Sequence, residues 1–266
     1  METTDLQIAI IGAGNMGGAI ARGLSKGKLI QSKNIRVSDV SQANLDAIKS
    51  FASEVTISTS NREIVKNADI IVLAVKPWLV DIISEEIENI VDFKKQQIVS
   101  IAAGVDFAQL AKLFNSEATI FRVIPNTAID VLQSVSTISS FNASKEQEEL
   151  IVALFAELGK AFLVPETQLN AFMSLSSCGI AYAFRYIRAA TEGAVEMGIY
   201  PNVAKEVVIQ TLRGAIELLV ANGTHPEVEI DKVTTPGGIT IKGLNEMEAQ
   251  GFTNAVVKGL KASHLK

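Results

Sequence analysis

The stretch LQIAIIGAGNMGGAIARGL, residues 6–24, decides the fold. Its first six residues have the length and apolar character of a strand, the glycines stop that strand abruptly, and a helix follows. A strand whose tight turn opens directly into a helix leaves backbone N–H groups uncovered beside the positive end of the helix, where an anion is stabilised. Gly12 permits the turn, Gly14 lets a phosphate approach the backbone, and Gly17 lets the helix lie close to the strand. With Asn15 and Met16 completing the turn, these residues read as the pyrophosphate cradle of a dinucleotide site.

Moving outward, IRVSD (residues 35–39) reads as a second strand. Asp39 ends it, about 20 residues past the glycines, near the acidic position that hydrogen-bonds a ribose 2′-hydroxyl in NAD-binding units. Two readings stay open: a ribose contact favouring NAD, or a cap for the helix SQANLDAIKS. NADP is open as well, because Ser38, Ser41 or Asn61 can donate hydrogen bonds to a 2′-phosphate.

The alternation continues with ADIIVLAV, QIVSIAA, TIFRVI and SVSTIS as further strands, separated by segments of helical period. Residues 70–75 are apolar without alternation, as a central parallel strand covered on both faces requires. Ligands in such sheets collect beyond the carboxyl ends of strands, which directs attention to Lys76-Pro77, Ala103-Gly104 and Pro125-Asn126-Thr127.

Beyond Pro165 the strands stop. In residues 177–198 the charged side chains Arg185, Arg188, Glu192 and Glu196 leave one wet stripe on a helix otherwise apolar or small. The next helix repeats the design with Glu206, Gln210, Arg213 and Glu217, and Asn222-Gly223 stops it. Two such helices overfill a small monomeric domain, so association of subunits through this half is expected. The expected fold class is an α/β Rossmann-type domain with a mostly parallel sheet over residues 1–165, followed by an all-α C-terminal dimerisation domain over residues 166–266.

Composition narrows the function. A net charge of −5 over 266 residues provides no basic surface for nucleic acid. Cys178 is the sole cysteine, and the two histidines, His225 and His264, lie in no metal-ligand spacing with it or with each other. No metal site and no histidine-based triad is expected. The opening METTDLQ lacks the order of a secretory signal, and no apolar run approaches the roughly 18 residues of a membrane span. A soluble, cytoplasmic protein without a membrane partner is expected.

In the helical half the informative stretch is DKVTTPGGITIKGLNEME, residues 231–248. Pro236-Gly237-Gly238 must turn, Thr240 stands where a helix begins, and the glycines leave N–H groups able to hold a small carboxylate. The same residues also suit a plain helix–helix connection.

Taken together, IGAGNMG, AVKP, SIAAG, RVIPNT and above all VTTPGGITIKGL resemble the pyrroline-5-carboxylate reductases over essentially the whole chain. The family's usual Gly-Ser-Gly-Pro-Ala-Tyr run is here Ser177-Cys178-Gly179-Ile180-Ala181-Tyr182, and its customary loop serine and threonine are Thr235 and Ile239.

The resemblance implies reduction of a cyclic imine, 1-pyrroline-5-carboxylate, to L-proline, with the reduced form of NADP or NAD as hydride donor. It implies that Thr235, Gly237, Gly238 and Thr240 bind the substrate, with the Thr240 hydroxyl orienting the ring nitrogen as the catalytic group. By the same resemblance Ala74, Lys76 and Pro77 line the nicotinamide side, and Asn61 approaches the adenosine ribose. Homodimers formed through the helical domain, with rings of dimers common, are implied too. Two rivals are an imine reductase for another cyclic imine and a non-catalytic dinucleotide sensor. A β-hydroxyacid dehydrogenase is disfavoured because residues 166–190 contain no lysine.

Overall fold

A computed structural model describes residues 5–264. They form two compact units, the first ending at Ser177 and the second beginning at Cys178.

In the first unit, eight strands form one sheet: β1 (Ile8–Ile11), β2 (Ile35–Ser38), β3 (Thr56–Ser58), β4 (Ile70–Leu73), β5 (Gln97–Ser100), β6 (Ile120–Ile124), β7 (Ser134–Phe141) and β8 (Gly159–Leu163). Their order is β3-β2-β1-β4-β5-β6-β7-β8. Every neighbouring pair is parallel except β6 and β7. That reversal follows from the link between them, one 3-10 turn at Thr127–Val131, which is too short for the crossover a parallel return needs.

The apolar run of β4 sits in the interior of the sheet, paired with β1 and β5 and buried at all four residues. Ile8, Ile10, Ile70 and Val72 face one core, and Ala9, Ile11, Ile71 and Leu73 face another. The period of two therefore distributes a continuous apolar strand between two layers, each buried isoleucine contributing about 1.5–3 kcal/mol. One layer includes α1 (Asn15–Leu24), α2 (Gln42–Phe51) and α6 (Lys145–Ala156). The other includes α3 (Asn61–Ile64), α4 (Val80–Ile87) and α5 (Phe107–Phe114).

The sequence reading finds six of these strands and lacks β3 and β8. Both lie at sheet edges, β3 is three residues long, and β8 opens on Gly159-Lys160 with no buried residue, so neither makes an apolar run.

Four α-helices of the first unit start on side-chain caps, while α4 (Val80–Ile87) and α7 (Leu169–Ser176) run on from 3-10 turns without one. Ser41 and Ser60 cap α2 and α3, and the boxes Asp106/Gln109 and Ser144/Gln147 close α5 and α6. The helix after β1 is different: Gly14 stands at its cap position with no side-chain bond, and its first turn holds no acidic residue.

The first unit ends with α7 (Leu169–Ser176). Glu166, just ahead of it, pairs with Arg122 on β6 at 2.6 Å and accepts the Phe107 N–H of α5 at 2.8 Å.

The second unit comprises α8 (Gly179–Glu196), α9 (Pro201–Asn222), α10 (Pro226–Val233), α11 (Ile239–Ala249) and α12 (Phe252–Ala262). Among the residues of these helices only Ala204 is buried. Phe184, Val207, Ile216, Leu218 and Val220 are each more than half exposed, which leaves α8 and α9 with bare apolar faces of the kind that subunit contacts cover. No helix among the described residues is long and apolar enough to cross a membrane.

Candidate active site

A cavity of about 890 Å³ opens beyond the carboxyl ends of the central strands of the first unit. Gly12, Gly14, Asn15, Met16, Ser38, Asp39, Asn61, Ala74, Lys76 and Pro77 all line it, as do Ala102, Ala103 and Pro125.

The glycine turn is built as a cradle. Gly12 has φ +97°, and a Cβ there would lie 2.6 Å from the Ala74 carbonyl oxygen. At Gly17 a Cβ would lie 1.9 Å from the Gly12 oxygen and 2.8 Å from the Ala74 Cβ, so the helix lies against the turn only because the side chain is absent. Gly17 thus sits beneath the cavity and does not line it. Gly14 is the opposite case: a Cβ would meet nothing within 4 Å, because that face opens to the cavity. An uncapped helix end, a turn that admits no side chain at Gly12 or Gly17 and a first helical turn without an acid together fit a pyrophosphate.

Asp39 does two things at once. Its Oδ2 accepts the Ala13 N–H at 2.6 Å, inside the glycine turn, and its Oδ1 accepts the Ser41 N–H at 2.7 Å. Ser41 itself caps α2. Beside it the Ser38 hydroxyl donates to Asn61 Oδ1 at 2.6 Å, and Asn61 Nδ2 donates to Glu86 Oε2 at 2.7 Å.

Asn126 is placed differently from the other expected contacts. It is 5 % exposed and absent from the cavity lining, although Ile124 and Pro125 are part of it. Its side chain accepts the Ala128 N–H at 3.1 Å and donates to the Ser176 carbonyl at 3.3 Å, holding the β6–β7 link to α7.

Several lining residues escape the sequence reading, among them Glu86 and Met173. Glu86 sits in the acidic stretch SEEIEN and resembles any solvated helix residue, and Met173 lies on α7 with no motif around it, whereas Ser177 opens the Ser177–Tyr182 run. Ser177 is fixed by donating to the Pro125 carbonyl at 3.1 Å.

In the second unit residues 235–238 form a tight turn. The Gly238 N–H donates to the Thr235 carbonyl at 2.9 Å, Pro236 takes the second position and Gly237 the third with φ +73°, as a type II turn demands. Gly238 then stands at the start of α11 without any side-chain cap, and Thr240 lies exposed in the first helical turn. The helix ahead of this turn, α10, begins at His225, whose Nδ1 accepts the Glu227 N–H at 3.3 Å.

Comparison with known proteins now bears on these two sites. A family model described as "Pyrroline-5-carboxylate reductase dimerisation" matches residues 166–266, and one described as "NADP oxidoreductase coenzyme F420-dependent" matches residues 7–104. A pyrroline-5-carboxylate reductase of Methanosarcina acetivorans is 34 % identical over 97 % of this chain and 96 % of its own length. The chain belongs to the pyrroline-5-carboxylate reductase family. Pyrroline-5-carboxylate reductase 1 of Dictyostelium discoideum is 35 % identical over 99 % of the chain, which spans about half (49 %) of that longer protein. The crystal structure of the Plasmodium falciparum reductase, which has NADP bound, superposes with a TM-score of 0.88 at 26 % identity, covering 99 % of this chain and 96 % of that one. Membership also accounts for the bare faces of α8 and α9: the helical half of this reductase is the half through which it associates with itself.

Proposed function

We infer that the protein reduces 1-pyrroline-5-carboxylate to L-proline with NADPH or NADH. The observation that carries this reading is the type II turn at residues 235–238 opening an uncapped helix, a second anion-holding device in a chain that already holds one for a pyrophosphate. One suits the cofactor and the other a substrate carboxylate.

When bound, the reduced dinucleotide supplies the hydride that adds to the imine carbon. The chain's own residues bind and orient. The turn at Gly12 and Gly14, with Asn15, Met16 and Gly17 of α1, holds the pyrophosphate. Ser38, Asp39 and Asn61 hold the adenosine ribose, Ala74, Lys76 and Pro77 the nicotinamide side, and Asn126 supports this wall from within. Thr235 and Gly237 present N–H groups to the substrate carboxylate. Gly238, whose own N–H closes the turn onto the Thr235 carbonyl, leaves the approach bare of a side chain, and the Thr240 hydroxyl fixes the ring nitrogen. A protonated imine is already electrophilic, so no histidine acid is required, in keeping with His225 serving as a helix cap.

The same reading assigns residues 1–165 to the cofactor and residues 166–266 to substrate binding and dimerisation. It includes a ring of dimers and a cytoplasmic location. The deciding assay follows NADPH and NADH oxidation with pyrroline-5-carboxylate and with a pyrroline lacking the carboxylate. Turnover of the first well above the second is expected. If neither cofactor is oxidised with the carboxylated imine, the assignment fails. Preference for the uncharged ring identifies an imine reductase of other scope.

A further inference from the structure

The ionisable residues lining the cavity are unevenly placed. They are Asp39, Lys76 and Glu86. Because β1 lies between β2 and β4, the end of β2 that leads to Asp39 and the end of β4 that leads to Lys76 are two strand spacings apart, about 10 Å. Both carboxylates belong to the β2 side: Asp39 follows β2 directly, and Glu86 is tied to Ser38 of β2 through Asn61. This is the side at which a dinucleotide-binding unit meets the adenosine ribose.

Among the described residues lining the cavity no cation stands on the β2 side beside them, Lys76 being on the β4 side. Arg62 is near in sequence, but its guanidinium donates to the Glu86 carbonyl oxygen at 2.7 Å and does not line the cavity. Arg36 donates to the Lys66 carbonyl and to Gln7, near the other end of the strand. The residue after Asp39 is Val40, 97 % exposed and apolar.

Hydrogen bonding has the same direction as charge. Each Asp39 oxygen has one N–H donor, from Ala13 or Ser41, and retains a lone pair that a ribose hydroxyl can use. Ser38 has a single hydroxyl proton, and it goes to Asn61, not toward a ligand. A 2′-phosphate would bring nearly two negative charges to a wall that already carries two.

We propose that the ribose end of this cavity selects NADH over NADPH, Asp39 accepting the 2′-hydroxyl and Glu86, aimed by the Ser38–Asn61 pair, opposing a 2′-phosphate. The proposal rests on the cavity being the dinucleotide site. Trp78 is the sole tryptophan and follows Lys76-Pro77 at the cavity wall, so energy transfer from it to a reduced nicotinamide reports binding without substrate or turnover. Titration of the full chain with each dinucleotide, at low and high salt, is expected to give an NADH dissociation constant at least tenfold below that of NADPH. Salt should narrow the gap, as screening of like charges requires. Glu86→Gln should tighten NADPH more than NADH and cut the ratio at least threefold, and Asp39→Ser should cut it further. Equal or tighter NADPH binding by the unaltered protein overturns the proposal. So does a ratio that Glu86→Gln leaves unmoved, or a selective loss of NADPH binding in Arg62→Ala. Binding of neither dinucleotide, by fluorescence and calorimetry alike, overturns the cofactor reading beneath it.

Discussion

Arg122 on β6 and Glu166 ahead of α7 form an ion pair at 2.6 Å, with the Arg122 side chain 8 % exposed. The guanidinium also lies over the Phe107 ring, 5.9 Å from its centroid, so sheet, α5 and the segment leading to α7 meet at one charge. Glu166→Ala would leave that charge buried and unpaired. Because Glu166 is about a third exposed, the loss should fall near the lower end of about 3–5 kcal/mol, measured by chemical denaturation. Dinucleotide affinity should fall with it, since α7 carries Met173 to the cavity wall.

Two glycines three residues apart separate folding from binding. Gly14→Ala adds a methyl that meets no protein atom within 4 Å, so the melting temperature should hold while dinucleotide affinity drops at least tenfold. Gly17→Ala drives a methyl into the Gly12 carbonyl and should destabilise the first unit by about 1–3 kcal/mol or more. A Gly14→Ala protein that binds normally would remove the phosphates from the turn.

Thr240→Ala should lower turnover about 10–100-fold with little change in dinucleotide affinity, because the hydroxyl is lost from an exposed helical position that packs nothing. Gly237→Ala acts through the backbone instead: at φ +73° it should strain the turn by about 1 kcal/mol and raise KM for the carboxylated imine.

Glu229 fastens α10 to the segment before it. The Lys232 ammonium, followed by the Thr224 hydroxyl and the Asn222 amide, lowers its carboxyl from an ordinary 4.5 to about 2. A depressed folded-state value stabilises the ionised form, so the contribution is complete above pH 4.5 and is lost as pH falls toward 2. Melting of the unaltered protein should decline across that window, and Glu229→Gln should flatten that part of the decline.

Since the second unit buries almost nothing within one chain, its stability should depend on assembly. The unfolding midpoint is expected to rise with protein concentration, and a midpoint independent of concentration would contradict self-association.

The sequence discloses what has a periodicity or a forbidden side chain. β1, β4 and the glycine turn are legible because an apolar run and missing Cβ atoms leave marks in one dimension. Glu86 is illegible because its role depends on Asn61 lying beside it across 25 positions of chain. Met173 is hidden because nothing local marks it as a cavity residue, and Asn126 misleads because a strand-end asparagine serves a ligand or a turn equally well. Asp39 does not cap α2, a place that Ser41 takes; its carboxylate lines the cavity, as a ribose contact requires, and holds the Ser41 N–H in the loop before that helix.

The bond from the Ala13 amide to Asp39 has a consequence for redesign. One carboxylate lines the cavity at the proposed ribose end and also braces the loop that would receive the diphosphate. Replacing it to alter nucleotide choice therefore slackens the phosphate grip in the same stroke, and the gain for one cofactor arrives with a weaker hold on both. Glu86 touches no part of that loop, so an engineer changing the coenzyme should begin on α4 and leave the brace in place.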